Sequence, residues 1–314
     1  MKIAVPDLVT NSYFPALAAE ELALYAAEGV DVHVELRSPA LGAMGALKSG
    51  DVEFVVTGAH TTLTAFPGWK GAKLAVAVAQ GTPWLLVLRS DIAARRGDVD
   101  AVKGLQIGAA PGPDAALLRL LAESGIDPGR DQVRVVRVPG AERPGVSFGV
   151  LAAEALESRQ IDGFWANALG SETAVRRGVG RIIVDVRRGD GPPAAGRFTF
   201  AALVATEALI ERNPDAVAAV VRGIVNAQRG LREDPTRATE VGRRRFPPAA
   251  ADMIAALVER DLPFYDPVIS EDAVRTMNEF AIALGLIQAK VAYDQVVATR
   301  FRDCWSPIPR RGAV

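Results

Sequence analysis

Two histidines, His33 and His60, and a single cysteine, Cys304, are all this chain offers of the side chains that change charge near neutral pH. So small a set excludes a His-rich or Cys-based metal site and any intramolecular disulfide. His33 sits between Val32 and Val34 in a strictly alternating run, which turns it to the face opposite both and predicts solvent exposure. His60 follows the buried run Phe54-Val55-Val56, at a polar end reading Thr57-Gly58-Ala59-His60-Thr61. There it can act as an anion donor, a general acid or base, or a polar loop residue. Two motif-like spacings are rejected. Gly145-Val146-Ser147-Phe148-Gly149 has the spacing of a nucleophile elbow, but a proline-containing loop precedes it and both histidines lie upstream, so Ser147 is expected to cap a helix. Gly108-Ala109-Ala110-Pro111-Gly112 lacks the third glycine of a dinucleotide fingerprint, and Pro111 removes a helical donor.

The elements that must position these residues follow from periodicity. One pattern occurs twice, in residues 46–60 and 155–167: a helix end, a Gly/Asp step, an apolar strand and a polar strand end. Strands are expected at 3–5, 30–36, 53–56 and 74–79, with helices over 15–27 and 40–48. A second series has strands at 84–88, 106–109, 132–138, 163–165 and 181–186, with helices over 115–123 and 150–159. The apolar run 198–206 reads as a strand returning to the first lobe. Beyond it the spacing predicts helices over 214–231, 236–245, 249–260 and 270–284, then a final amphipathic segment over 289–300. The fold class is α/β, with two lobes whose strand ends face a cleft, and ligands of open α/β sheets bind at such ends.

Composition narrows the function. The 314 residues suffice for two lobes, 49% are hydrophobic and 23% charged, and the net charge is −1. Nothing here calls for nucleic acid or an anionic membrane as partner, and no apolar run is long enough to span one. Residues 2–5 already read as a core strand, with no charged segment, apolar stretch and cleavage site before them. Two alternatives stay open: a periplasmic or membrane-tethered protein whose leader was removed, or a cytoplasmic protein that starts at Met1.

Taken in order, several stretches resemble one family. These are Phe14-Pro15-Ala16-Leu17-Ala18-Ala19 with Glu28-Gly29-Val30-Asp31-Val32, Ala46-Leu47-Lys48-Ser49-Gly50-Asp51-Val52-Glu53-Phe54, Val102-Lys103-Gly104-Leu105-Gln106-Ile107-Gly108, residues 117–128 and 156–163, and Asn213-Pro214-Asp215. Together they resemble the type II periplasmic-binding-protein fold, in the nitrate/sulfonate/taurine/thiamine-precursor branch of ABC-transporter solute-binding proteins. The resemblance implies two Rossmann-like lobes joined by two crossover strands, at 82–88 and 199–204. Lobe one would be residues 1–83 plus 205–314, with the helical C-terminal tail packed on it, and lobe two residues 84–204. It further implies hinge closure on a small organic ligand, anionic or aromatic, with a permease and an ATPase as partners, no cofactor and no catalysis.

In this family the ligand touches loops that follow lobe strands. Carried onto this chain, the implied contacts are Asn11, Ser12, Tyr13, Ser38, Thr57, Gly58, His60, Thr61, Gln80, Thr82, Gly112, Asp114, Trp165 and Asn167. Several precede helix starts, where free N–H groups and the dipole favour an anionic group. Ser38 reads equally as a helix cap, and Asp114 as an N-cap or first-turn acid that argues against a highly charged anion. Tyr13, Trp84, Phe148 and Trp165 line an apolar pocket or pack in the core; Trp165 favours the pocket because it ends a strand. A relative type on this fold cleaves aryl sulfinates with a cysteine in the first-lobe loop, where this chain has Asn11-Ser12. The alternative reading is a cytosolic enzyme or ligand sensor that uses His60.

Overall fold

The computed structural model describes residues 1–8, 10–141, 147–246 and 248–306. Gly145 and Val146 of the rejected elbow spacing lie outside the described residues. The chain divides into two compact units: residues 1–80 with 199–314, and residues 81–198.

The first unit is built on strands β1 (Lys2–Val5), β2 (His33–Leu36), β3 (Phe54–Gly58) and β4 (Ala72–Ala79). Helices α1 (Phe14–Glu21), α2 (Leu24–Ala27), α3 (Ala40–Ser49) and α4 (Thr62–Ala65) connect them. The second unit follows with β5 (Leu85–Arg89), β6 (Gln106–Ala109), α5 (Pro113–Glu123), β7 (Arg134–Val136), α6 (Phe148–Glu157), β8 (Gly163–Ala166), α7 (Ala168–Arg176) and β9 (Gly180–Asp185). The chain then returns to the first unit through β10 (Ala201–Thr206). The tail follows: α8 (Glu207–Arg212), α9 (Pro214–Glu233), α10 (Thr236–Arg245), α11 (Pro248–Asp261), α12 (Glu271–Ala283) and α13 (Tyr293–Val296).

Both sheets follow one scheme. In the first the order is β2-β1-β3-β10-β4, with β1 parallel to β2 and β3 and β10 antiparallel to β3 and β4. In the second it is β7-β6-β8-β5-β9, with β6 parallel to β7 and β8 and β5 antiparallel to β8 and β9. Each sheet therefore contains one antiparallel strand, the first to follow a crossing of the chain between units. Strands β3, β4 and β10 are buried along almost their whole length (Phe54 to Thr57, Leu74 to Ala79, Ala201 to Ala205), β4 although it ends the sheet, which is why they read as continuous apolar runs rather than alternating ones.

Three expectations change. Residues 199–204 belong to the first unit, because β10 hydrogen-bonds β3 and β4 there, and residues 81–83 belong to the second. The strand expected at 30–36 begins only at His33, since its partner β1 begins at Lys2 and the register pairs those two residues. The helix expected over 15–27 breaks at Ala23, which adopts φ 55°, and Tyr25 docks beyond the break. The amphipathic segment at 289–300 packs on the first unit. It is the short α13 and a 3-10 stretch, Thr299–Trp305, held to β4 by a Leu74–Val297 bridge and a 2.9 Å bond from Trp305 Nε1 to the Ala75 carbonyl.

Tyr25 explains the break at Ala23. Its ring is buried against α9, and its hydroxyl donates to the Ala16 carbonyl at 3.2 Å. A Cβ at Gly223 would lie 2.4 Å from the Tyr25 ring, so α9 approaches only because that position is glycine. Gly223→Ala is expected to destabilise the protein by about 1–3 kcal/mol through overpacking, although alanine is the better helix former. Urea unfolding checks this; a stabilised variant would contradict it.

Candidate functional site

Parallel strands end at one edge, so the loops after β1 and β3 converge without any local sequence signal. On the first sheet this edge carries Asn11, Ser12 and Tyr13 after β1, Gly58 as the last residue of β3, and His60 and Thr61 in the single 3-10 turn, Ala59–Thr61, that follows it. Gln80 follows β4, and Ser38 follows the edge strand β2. Thr57 remains within β3, opposite Ala202.

His60 is 5% exposed. Its Nδ1 is hydrogen-bonded to Thr199 Oγ1 at 2.9 Å, and its ring meets the edge of Phe280 with centroids 5.3 Å apart. A Cβ at Gly58 would stand 3.2 Å from His60 Cε1, so the glycine makes room for the ring. Burial removes the imidazolium's hydration and pushes the His60 pKa down to about 4. The ring is therefore neutral at physiological pH, with one nitrogen a donor and the other an acceptor.

Asn11 is 2% exposed and is fixed from the helical tail. Its Nδ2 donates to the Asp261 carboxylate, and its carbonyl accepts from the Tyr265 hydroxyl at 2.7 Å. Because a carboxylate only accepts, the amide is oriented, and its buried Oδ1 has no hydrogen-bond partner among the described residues. Gln80 is committed to structure: its Nε2 donates to the carbonyls of Asp266 and Val268 at 2.9 and 2.7 Å. Ser38 is exposed and does not cap α3, whose N-cap position is Pro39.

The second sheet has an equivalent edge. Gly112, with φ 95°, opens the turn before α5, and the Asp114 carboxylate accepts from the N–H groups of Gly112 and Ala115 at 2.9 and 2.8 Å. Asp114 is thus the first-turn acid of α5, and it occupies the donors an incoming anion would use. Asn167 caps α7, its Oδ1 accepting from Gly170 N at 3.1 Å. Ser147 stands at the N-cap position of α6, yet its side chain makes no cap hydrogen bond. Trp165 is fully buried at the end of β8, 6.3 Å from the Trp84 ring by centroids. Thr82 ties its own unit together: its N–H donates to Gly196 O at 2.9 Å and its hydroxyl accepts from Phe198 N at 3.1 Å. His33 is exposed as its alternation requires, and its Nδ1 lies 2.8 Å from Glu20 Oε1.

Sequence reasoning missed Thr199, Asp261, Tyr265 and Phe280, the residues that hold His60 and Asn11. They lie far along the chain, and no local spacing announces them. No group of three or more His, Cys, Asp or Glu able to hold a metal occurs among the described residues, and no helix described is long and apolar enough to cross a membrane.

Solved structures share this architecture. A protein of Bordetella bronchiseptica RB50 superposes with a TM-score of 0.76 at 21% identity, over 96% of this chain and 96% of that one. The alkanesulfonate-binding protein SsuA of Xanthomonas axonopodis pv. citri, bound to MOPS, gives 0.70 at 17% identity, over 94% and 97%. The desulfurization enzyme DSZB gives 0.64 at 17% identity, over 96% and 97%. These likenesses place the chain in the type II periplasmic-binding-protein fold. No curated protein matches it in sequence. A model of the NMT1-like family, however, matches residues 9–243, most of both units, and the chain belongs to that family.

Proposed function

We propose that this chain is the solute-binding component of an ABC importer, and that it captures a small organic ligand, anionic or aromatic, without altering it. The observation that carries the reading is the polar cluster at the first sheet's strand ends. Ser12, Tyr13, His60 and Thr61 bring hydroxyls and a neutral imidazole to one edge from two different β-α connections. Such groups recognise a ligand's oxygens by hydrogen bonding, with no charged side chain of their own to desolvate. Asn11, Gly58 and Thr57 support that edge, and Gly112, Asp114, Trp165 and Asn167 form the corresponding edge of the second unit. A permease and an ATPase would take the ligand onward, and the protein would work in the periplasm or tethered outside the membrane.

A second reading, an enzyme on the same fold, draws on DSZB and on buried His60. The Asn11-Ser12 loop has no cysteine, and Cys304 lies in the C-terminal 3-10 stretch, which favours capture over covalent chemistry.

Native mass spectrometry of the purified protein, then denaturation and identification of what is released, separates the two readings. Capture predicts a stoichiometric small molecule recovered intact; a chemically altered product favours the enzyme. With that molecule as probe, His60→Ala is expected to weaken binding about tenfold, the worth of one buried hydrogen bond. Unchanged affinity with the fold intact would overturn the assignment of His60 to the site.

A further inference from the structure

Among the described residues of the second unit, a buried indole donor is left unused. Trp165 is 0% exposed, and its Nε1 has no hydrogen-bond partner among the described residues. An indole N–H is a donor only, and a buried one normally finds an acceptor. The register places Trp165 opposite Leu86 on β5 and beside Ala109 on β6. Paired residues share a sheet face, and alternation along the chain puts Trp84 on that same side, two residues before Leu86. The two rings stand 6.3 Å apart at 48°, the half-buried Trp84 beside the buried Trp165. The residue beside Trp165 on β6 is the small Ala109.

The other polar groups at this edge are already satisfied. Asp114 accepts from the start of α5, and Asn167 accepts from the start of α7. Nothing here welcomes a second negative charge, and the pair offers a π surface with the unused Trp165 N–H beside it.

We propose that Trp84 and Trp165 form a subsite for a flat aryl or heteroaryl ring, with an oxygen or ring nitrogen on the ligand accepting from Trp165 Nε1–H. This rests on the solute-binding reading and names the ligand class within it: an aromatic compound whose ring, not its charged group, is held by the second unit. Stacking supplies affinity for the ring, and the indole N–H supplies orientation.

The test compares benzenesulfonate with methanesulfonate as probes on the full chain, by calorimetry and by 15N–1H spectra of protein labelled on tryptophan. The chain has four tryptophans, so four indole N–H signals are expected, and Trp165→Phe identifies the one in question. Should that variant fail to fold, Phe substitutions at Trp69, Trp84 and Trp305 identify it by elimination. Benzenesulfonate is expected to bind more tightly than methanesulfonate and to move the Trp165 indole proton downfield. Trp165→Phe and Trp84→Leu should each weaken benzenesulfonate about tenfold and leave methanesulfonate unchanged. Equal binding of the two probes, or benzenesulfonate binding that leaves the Trp165 signal in place, would overturn the subsite alone. Binding of neither probe to the unaltered protein would overturn the subsite as a site for sulfonated aryl rings, whereas the capture reading itself falls only if the native protein releases a chemically altered product.

Discussion

Replacing Gly170 with alanine is expected to cost the second unit more than about 3 kcal/mol of stability, beyond the common range for a single substitution. Helices α6 and α7 cross at Gly149 and Gly170. A Cβ on Gly170 would lie 2.3 Å from Gly149 Cα and 2.5 Å from its carbonyl carbon and oxygen. All three are backbone atoms, so no side chain can swing away, and the helices must part. Their separation would open the core that Leu151, Ala152, Leu156 and Phe164 close. Gly149→Ala should cost less, because its nearest contacts lie at 2.9 Å and include the Asn167 side chain. Gly45→Ala is the matched control. Gly45 lies within α3, and a Cβ there meets nothing within 4 Å, so the same change should stabilise by roughly 0.5–1 kcal/mol. Urea unfolding of the three variants gives the ranking, and a Gly170→Ala protein as stable as the parent would contradict the packing.

The second large effect is acid sensitivity tied to one side chain. In the unfolded chain His60 takes up a proton as the pH falls through its ordinary value of 6.5, whereas the folded protein holds it neutral down to about 4. Between those values the unfolded state binds more protons, so stability rises with pH across the window and is lost as the pH falls through it. The loss from pH 7.5 to pH 4.5 should amount to roughly 2–3 kcal/mol from His60 alone. Carboxylates add their own acid dependence, so the comparison is with His60→Gln, which keeps a polar, uncharged group beside Thr199. The variant should lose less stability over the same interval, by that amount. An equal loss in both proteins would mean that the imidazole is not shielded in the folded state.

The order of elements was legible because strands buried on both faces are apolar along their length. Residues 54–56, 74–79 and 201–205 announce themselves, as do the helical faces of α9 and α12. Strand limits were not legible: β2 begins where β1 begins to offer partners, and that limit is set across 31 positions of sequence, Lys2 against His33. Caps were read from residue type: Ser38 lies one residue before the N-cap position, which is Pro39, and Ser147 holds the N-cap position of α6 without a cap hydrogen bond. The strand-end loops of the site could be named because they follow buried strands. Their supports could not, since Thr199 reaches His60 across 139 residues and Asp261 and Tyr265 reach Asn11 across 250 and 254. Only the closed sheet and the returning tail bring those pairs together.

The place of β10 also dictates an order of assembly at the ribosome. Residues 81–198 emerge as one uninterrupted stretch that contains every strand of their own sheet. The first 80 residues emerge earlier, yet β3 and β4 do not pair with each other; each pairs with β10, so the gap between them is filled only once residues 201–206 have left the exit tunnel. The unit synthesised second can therefore fold first, while the N-terminal strands wait with exposed apolar edges. Long sequence separation slows such pairing, and waiting edges invite aggregation. A nascent chain halted with residue 198 emerged and residues 201–206 still in the exit tunnel should thus carry a protease-resistant second unit beside a digestible N-terminal segment, and chaperone demand should concentrate on the first 80 residues.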